Sequence, residues 1–136
     1  MKIELKKLKT YPRLSRETTA FNAELWIDGA KAADLENDGG GGNNRMYFKS
    51  KAQNDEFQNY CKSLPPEDGL EMNADFFISL LVEQEEQKNF VRKQNKTKIL
   101  FRIPGDAKGN YRTVKRAAGA EEWIRKKYPE AELVTA

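Results

Sequence analysis

Residues 18–27 alternate apolar and polar side chains, and this alternation constrains the fold more than any other feature of the chain. Apolar residues at every second position are typical of a β-strand with one buried face. Here they are Phe21, Ala23, Leu25 and Ile27. Asp28-Gly29 follows directly and favours a type I′ turn, because both central residues of that turn need positive φ. We therefore predict a hairpin whose return strand, residues 31–36, points Ala33 and Leu35 inward.

A further strand is predicted before this hairpin. Residues 2–6 also alternate, but Leu8 breaks the alternation, which indicates a bulge near Lys7. The three strands together form a meander. Beyond the hairpin, residues 45–48 are either a short strand or an apolar plug.

Residues 37–44 are the low-complexity segment of the chain, with four consecutive glycines at positions 39–42. Glycine loses more backbone entropy on ordering than other residues, so this run is either a mobile loop or a site of positive φ and close backbone approach. We favour a flexible loop over an anion-binding nest, because the Gly-Lys-Ser/Thr ending of a P-loop is absent. The residues of this loop that we expect to contact a partner are Asn37, Asp38, Gly39 and Gly40.

Two helices are predicted in the middle of the chain. Residues 51–63 follow a capping box at Ser50 and place Cys61 on the buried face, as a structural thiol. Residues 73–95 begin at Asn73, a favourable N-cap residue. The side chains that we expect this second helix to turn toward the core are Phe76, Phe77, Leu80 and Leu81.

The C-terminal part of the chain predicts a basic hairpin. Residues 98–103 alternate, and residues 111–115 return after a loop at residues 104–110. The side chains expected inward on the first strand are Ile99, Phe101 and Ile103. A third helix at residues 121–128, with Trp123, Ile124 and Tyr128 on one face, and a last strand at residues 132–134 follow.

Runs of strands rather than strict alternation of strands and helices predict an α+β fold. Its antiparallel sheet consists of the N-terminal three-strand meander plus the C-terminal hairpin, packed by two or three helices. A chain of 136 residues fits one domain, so we expect a single domain over residues 1–136.

The composition excludes several chemistries. There is no histidine, which removes Ser-His and Cys-His nucleophiles and histidine-containing zinc sites. The single cysteine agrees with a reducing compartment. Neither a run of about eighteen apolar residues nor an apolar segment behind the basic N-terminus is present, so we expect a cytoplasmic protein without membrane partners. We also expect no cofactor and no bound metal.

A metal-dependent enzyme is a less favoured alternative. Five acids around the first hairpin provide the oxygen ligands that Mg²⁺ prefers. They are Glu24, Asp28, Asp34, Glu36 and Asp38. Acids on a solvated strand face give the same pattern, so we predict that the protein is not an enzyme.

The net charge of +3 hides a strong segregation of charge along the chain. Residues 1–16 contain six basic and one acidic side chain, residues 17–87 five and fifteen, and residues 88–136 thirteen and five. The two basic segments either form an anion-facing patch or pair with the acidic middle of the chain.

Three short motifs support a resemblance to a known family. They are Asn37-Asp38-Gly39 with further glycine, the run ILFRIPGD at residues 99–106, and the run WIRKKY at residues 123–128. In these motifs the chain resembles a family of small uncharacterised proteins carried by bacteriophages and other mobile elements. The resemblance implies a biological setting and no activity.

We predict a non-enzymatic binding protein that engages host or phage machinery, with inhibition of a host defence system as one such role. Its partner is a host or phage protein or a nucleoprotein complex. Direct binding to DNA or RNA is the alternative, because basic side chains contact phosphates and aromatic ones stack on bases. The expected contact residues belong to the C-terminal hairpin and its flank: Lys98, Arg102, Lys108, Tyr111, Arg112, Lys115 and Arg116.

The return strand of this hairpin can turn either of its faces inward. If Tyr111 and Thr113 point inward, Arg112 and Arg116 join Lys98 and Arg102 on one exposed face. Either a partner or nearby acids would then have to neutralise that concentration of like charge.

Overall fold

The computed structural model describes residues 1–107 and 109–135, and over these residues the chain has the predicted α+β fold. Four antiparallel strands come first and two helices follow them. Two short strands, a third helix and a last short strand complete the chain. The elements are β1 (Ile3–Thr10), β2 (Phe21–Ile27), β3 (Ala30–Asn37), β4 (Arg45–Phe48), α1 (Lys51–Lys62), α2 (Ala74–Asn95), β5 (Lys98–Arg102), β6 (Arg112–Lys115), α3 (Ala120–Lys127) and β7 (Glu132–Val134).

The strands form two antiparallel sheets. The first has the order β1-β2-β3-β4, so the predicted meander gains β4 as a fourth strand. The second has the order β6-β5-β7, so the predicted hairpin gains β7 beside β5. Among the described residues, no helix combines the length and the hydrophobicity that crossing a lipid bilayer requires.

The chain divides into two compact units, Met1–Glu83 and Gln84–Ala136, with the boundary inside α2. The first unit holds the four-stranded sheet and α1, and the second holds the three-stranded sheet and α3. The expectation of one domain over residues 1–136 stays a prediction, because compact units also occur within single domains.

The first sheet confirms the alternation pattern in detail. The four side chains of β2 that were predicted to point inward are all buried. Asp28 and Gly29 have φ of 50° and 84°, which are the positive values that the turn requires. Lys7 has φ of 53° where the register of β1 against β2 shifts, so the predicted bulge is confirmed.

Both predicted helices of the middle segment form, but α2 turns a different line of side chains to the core. Ala74, Ile78 and Val82 are buried against the first sheet, whereas Phe76 and Leu80 are only partly buried. The prediction of Phe76 and Leu80 as core residues is therefore wrong. Residues 76–82 are apolar at six of seven positions, so several stripes fit the sequence, and the one continuous with the small Ala74 is used.

Helix α1 begins at the predicted cap, where the Ser50 hydroxyl accepts a hydrogen bond from the Gln53 amide at 3.2 Å. Phe57 and Cys61 on its inner face are completely buried. Burial raises the pKa of the Cys61 thiol to about 11. Cys61 is thus the structural thiol that the sequence predicts.

The glycine loop between β3 and β4 is organised around the buried side chain of Asn37. Its Oδ1 accepts hydrogen bonds from the Thr18 hydroxyl and the Gly39 amide, both at 2.8 Å. Its Nδ2 donates to the Gly42 carbonyl at 3.1 Å and to the Asn44 side chain at 3.0 Å. The loop is therefore hydrogen-bonded from inside, which differs from the flexible loop that we favoured from sequence.

Gly39 is the point of closest backbone approach in this loop. It has φ of 84°, and a Cβ at this position would lie 2.2 Å from the Leu14 carbonyl oxygen. The Gly39 carbonyl accepts hydrogen bonds from the amides of Arg16, Glu17 and Thr18. Glycine is needed here for both φ and space, as the second sequence interpretation required.

We expect Gly39→Ala to lower the free energy of unfolding by about 2 to 4 kcal/mol, because positive φ and a steric clash act together. Gly42→Ala is the matched control, since nothing lies within 4 Å of a Cβ there. That control should change stability by no more than about 1 kcal/mol. Urea unfolding of the two variants measures the difference, and equal midpoints would contradict the assigned role of Gly39.

Candidate binding surface

The pairing of β5 with β6 determines which basic side chains share a face. Lys98 lies opposite Lys115, and Phe101 lies opposite Arg112. Directly opposite residues of an antiparallel pair lie on the same face, so Arg112 shares the face of Phe101. The condition stated from sequence, in which Thr113 shares the face of Ile99 and Phe101, is not met, because Thr113 lies opposite Leu100. Arg112 therefore does not join Lys98 and Arg102 on one face.

Arg112 is held by Asp106 from the loop of the same hairpin. Its Nε and Nη2 donate to the two carboxylate oxygens of Asp106 at 3.1 and 3.2 Å. The Ile103 amide donates to the same carboxylate at 3.1 Å. The hydrogen bond from Arg112, followed by that from Ile103, lowers the pKa of Asp106, and the pKa of Arg112 is raised by Asp106. Arg112 thus stabilises the hairpin loop.

The structure gives internal partners to three more of the predicted contact residues. Arg102 lies 3.7 Å from the Glu132 carboxylate of β7. The Tyr111 hydroxyl accepts a hydrogen bond from Gln87 at 2.9 Å. The Arg116 guanidinium donates to the Asn95 carbonyl at the end of α2. The seventh predicted residue, Lys108, lies outside the described residues.

Lys98 and Lys115 differ from these residues because neither side chain has a hydrogen-bond or ion-pair partner among the described residues, and both are exposed. Like charges directly across a sheet are destabilising, by about 0.2 to 1 kcal/mol. In the second unit, basic residues outnumber acidic ones by thirteen to seven over the full sequence. The pair is therefore an unneutralised positive site in a basic unit.

The last turn of α2 and the residue after it add lysines close in sequence to the Lys98–Lys115 pair. The Arg116 amide donates to the Thr97 carbonyl at 2.9 Å, which fixes residues 95–98 beside the end of β6. Lys96 and Lys98 flank Thr97, and Lys93 is one turn earlier on the helix. We call this surface the basic end. It consists of the exposed residues Lys93, Lys96, Lys98, Lys115 and Arg116.

The sequence placed Lys93 and Lys96 in a charge gradient that suits the α2 dipole and did not assign them to a site. Their position immediately before β5 was the available signal. Of the seven predicted contact residues, the basic end contains Lys98, Lys115 and Arg116. The register puts Arg102 and Arg112 on opposite faces of the β5–β6 hairpin, although both lie close enough to Asp106 to lower its pKa.

The acids of the first hairpin are interleaved with basic side chains. Lys31 lies 3.2 Å from Glu24 and 2.9 Å from Asp34, and Arg45 lies 3.3 Å from Glu36 and 3.4 Å from Asp38. The hydrogen bond from Trp26 is the largest cause that lowers the pKa of Glu24, and Lys31 adds to it. Within residues 1–107 and 109–135, no three Cys, Asp or Glu side chains are arranged to hold a metal ion.

The predicted loop contacts divide into two buried and two exposed residues. Asn37 and Gly39 are buried and make the internal hydrogen bonds of the glycine loop. Asp38 and Gly40 are exposed. Asp38 accepts hydrogen bonds from the Gly40 amide at 3.0 Å and from Arg45 at 3.4 Å.

No protein-family model, curated protein or solved structure matches this chain. The family resemblance drawn from the three short motifs therefore stays a prediction.

We expect the stability that Asp106 adds to depend on pH. Its pKa in the folded protein is lowered, mainly by Arg112, so folding favours the charged form. The contribution is fully present above the unfolded value of about 3.9 and is lost as pH falls through the lower folded value. Wild type should therefore unfold at a higher urea concentration than Asp106→Asn at pH 7, and this advantage should shrink as pH falls below about 3.9.

Glu130→Gln is the matched control for this measurement, because Glu130 is exposed and has no ion-pair partner among the described residues. It removes the same charge from the same unit, so its unfolding midpoint should stay near that of wild type at pH 7. An equal deficit for both variants at pH 7 would contradict a specific contribution from the Asp106–Arg112 pair.

Proposed function

We propose that the chain is a non-enzymatic binding protein of a bacteriophage or other mobile element, which engages host or phage machinery. Inhibition of a host defence system is a role that suits this setting. The proposal assigns the contact to the basic end and gives the partner an acidic surface. The observation that supports it is the cross-strand pair of Lys98 and Lys115, which has no acidic partner among the described residues.

The reason is energetic. Two ammonium groups on one face repel each other in the free protein, and an acidic partner converts that repulsion into attraction. Arg102 and Arg112 give the contrast, because each has a carboxylate within 4 Å in its own unit. The charges of Arg102 and Arg112 form ion pairs within the fold, whereas those of Lys98 and Lys115 form none among the described residues.

We expect Lys98→Gln with Lys115→Gln to weaken partner binding by more than tenfold while the urea midpoint holds or rises, because like-charge repulsion is relieved. The measurement is capture from a bacterial lysate by the immobilised full chain, done with and without nuclease treatment of the lysate. Salt elution of what is captured gives the charge dependence.

Lys49→Gln with Lys51→Gln is the matched control, since these two exposed lysines of the first unit remove the same total charge. The control should retain the captured partner. If both double variants bind as wild type does, the basic end is not the contact surface. If both lose the partner equally, only the net charge matters, and the assignment to Lys98 and Lys115 fails.

A further inference from the structure

We propose that the basic end binds single-stranded nucleic acid and that Phe90 is the platform on which one base stacks. This inference rests on the proposed function, because it names the chemical class of the acidic partner. Its support is the juxtaposition of an exposed aromatic side chain with the lysines at the end of α2.

Phe90 is 49% exposed within a polar stretch of α2. Its neighbours Asn89, Arg92 and Lys93 are exposed as well, whereas Val91 is buried. The exposed half of this apolar side chain adds no hydrophobic stabilisation to the free protein. Phe90 is therefore available to a partner.

The other aromatic side chains of the second unit are engaged. Phe101 and Tyr128 contact each other, with ring centroids 5.5 Å apart. Tyr111 is held through its hydroxyl by Gln87. Trp123 is also exposed, but the Lys127 ammonium lies 4.8 Å from its ring centroid and covers one face. Among the described residues, Phe90 has no aromatic or cation–π contact.

Helix geometry connects Phe90 to the basic end. Lys93 is three residues further along α2, so the two side chains lie on the same face. From Phe90 to the end of α2 at Asn95 the helix axis advances roughly 8 Å, at about 1.5 Å per residue. A strand of a few nucleotides with one base on Phe90 therefore runs past Lys93 to the end of α2, where Lys96 and Lys98 follow along the chain and Lys115 lies opposite Lys98.

The combination favours single strands over duplex. In a duplex the base faces are stacked on one another and only their edges are accessible in the grooves. In a single strand the faces are open, and an aromatic side chain beside lysines binds them with little dependence on sequence. A protein partner also offers acidic side chains to the lysines and aromatic rings to Phe90, so the titration with oligonucleotides below distinguishes the two kinds of partner.

The affinity should fall with salt in a defined way. Four lysines at the basic end, each neutralising one phosphate, give a slope of about −2.8 for log Kobs against log salt concentration on a single strand. Removing two of them should reduce the magnitude of the slope by about 1.4. The slope thus counts the lysines that contact phosphate.

The experiment is fluorescence anisotropy with fluorescein-labelled dT20, rU20 and a 20-base-pair duplex, and competition with inorganic polyphosphate. We expect dT20 or rU20 to bind at least tenfold more tightly than the duplex at equal salt. Phe90→Ala should weaken single-strand binding by about tenfold. Its affinity for polyphosphate, obtained from the competition, should equal that of wild type. Phe90→Trp should retain affinity and show fluorescence quenching on binding, since an indole ring also stacks on bases.

Two controls separate stacking from general effects. Leu70→Ala removes another exposed apolar side chain, one that is 60% exposed in the first unit, and should bind as wild type does. Lys98→Gln with Lys115→Gln should weaken the binding of oligonucleotides and of polyphosphate to the same extent. Circular dichroism checks that each variant keeps the fold, and sedimentation checks that its oligomeric state is unchanged.

Several results would overturn the inference. Duplex binding as tight as single-strand binding, or an unchanged affinity for Phe90→Ala, would refute the stacking platform. Sedimentation that shows Phe90-dependent self-association would assign that side chain to a contact between copies. If no oligonucleotide binds but capture from nuclease-treated lysate still depends on Lys98 and Lys115, the inference fails and the proposed function stands. If charge-dependent capture is absent as well, both fail.

Discussion

The buried amide of Asn37 is the interaction on which the first unit depends, because it satisfies hydrogen bonds from several chain segments at once. Thr18, Gly39 and Gly42 all bond to it. Asn44, its fourth partner, donates from its backbone to the Asp75 carboxylate at 2.7 Å and from its side chain to Ser79 at 2.9 Å. One side chain thereby ties the end of β3 to the loop before β2 and to the first turns of α2. A buried amide left unsatisfied would be costly, so these segments form together.

In the second unit, the register of β5 plays the corresponding role. β5 is the central strand, and its residues Ile99, Leu100 and Phe101 are buried. Both faces of β5 carry buried side chains. A shift of β5 by one residue in either direction would therefore expose apolar side chains. This register places Lys98 opposite Lys115 and sends Arg112 to the other face. The unneutralised charge of the basic end is thus a consequence of burying the apolar residues of β5.

Local sequence patterns predicted most of the helices and strands. The features that they missed depend on tertiary packing and strand register. The alternation in β2, the Asp28-Gly29 turn and the Ser50 cap depend on neighbouring residues, so sequence alone identified them. The core stripe of α2 depends on which of several apolar lines meets the sheet. The face of Arg112 depends on the register of β6 against β5, which local pattern does not determine. Asn37 was expected at the surface, since its burial requires Thr18 and Asn44 to be in place.

The bulge at Lys7 has a consequence for the chain in concentrated solution. β1 is an edge strand, so its outer backbone groups have no partner strand within the sheet. An uninterrupted edge of eight residues would be a template for pairing with another polypeptide. The positive φ of Lys7 interrupts this edge near its middle, and Lys6, Lys7 and Lys9 add like charges along it. Both features oppose edge-to-edge aggregation, so the irregularity favours solubility of the sheet without needing another element to cover its edge.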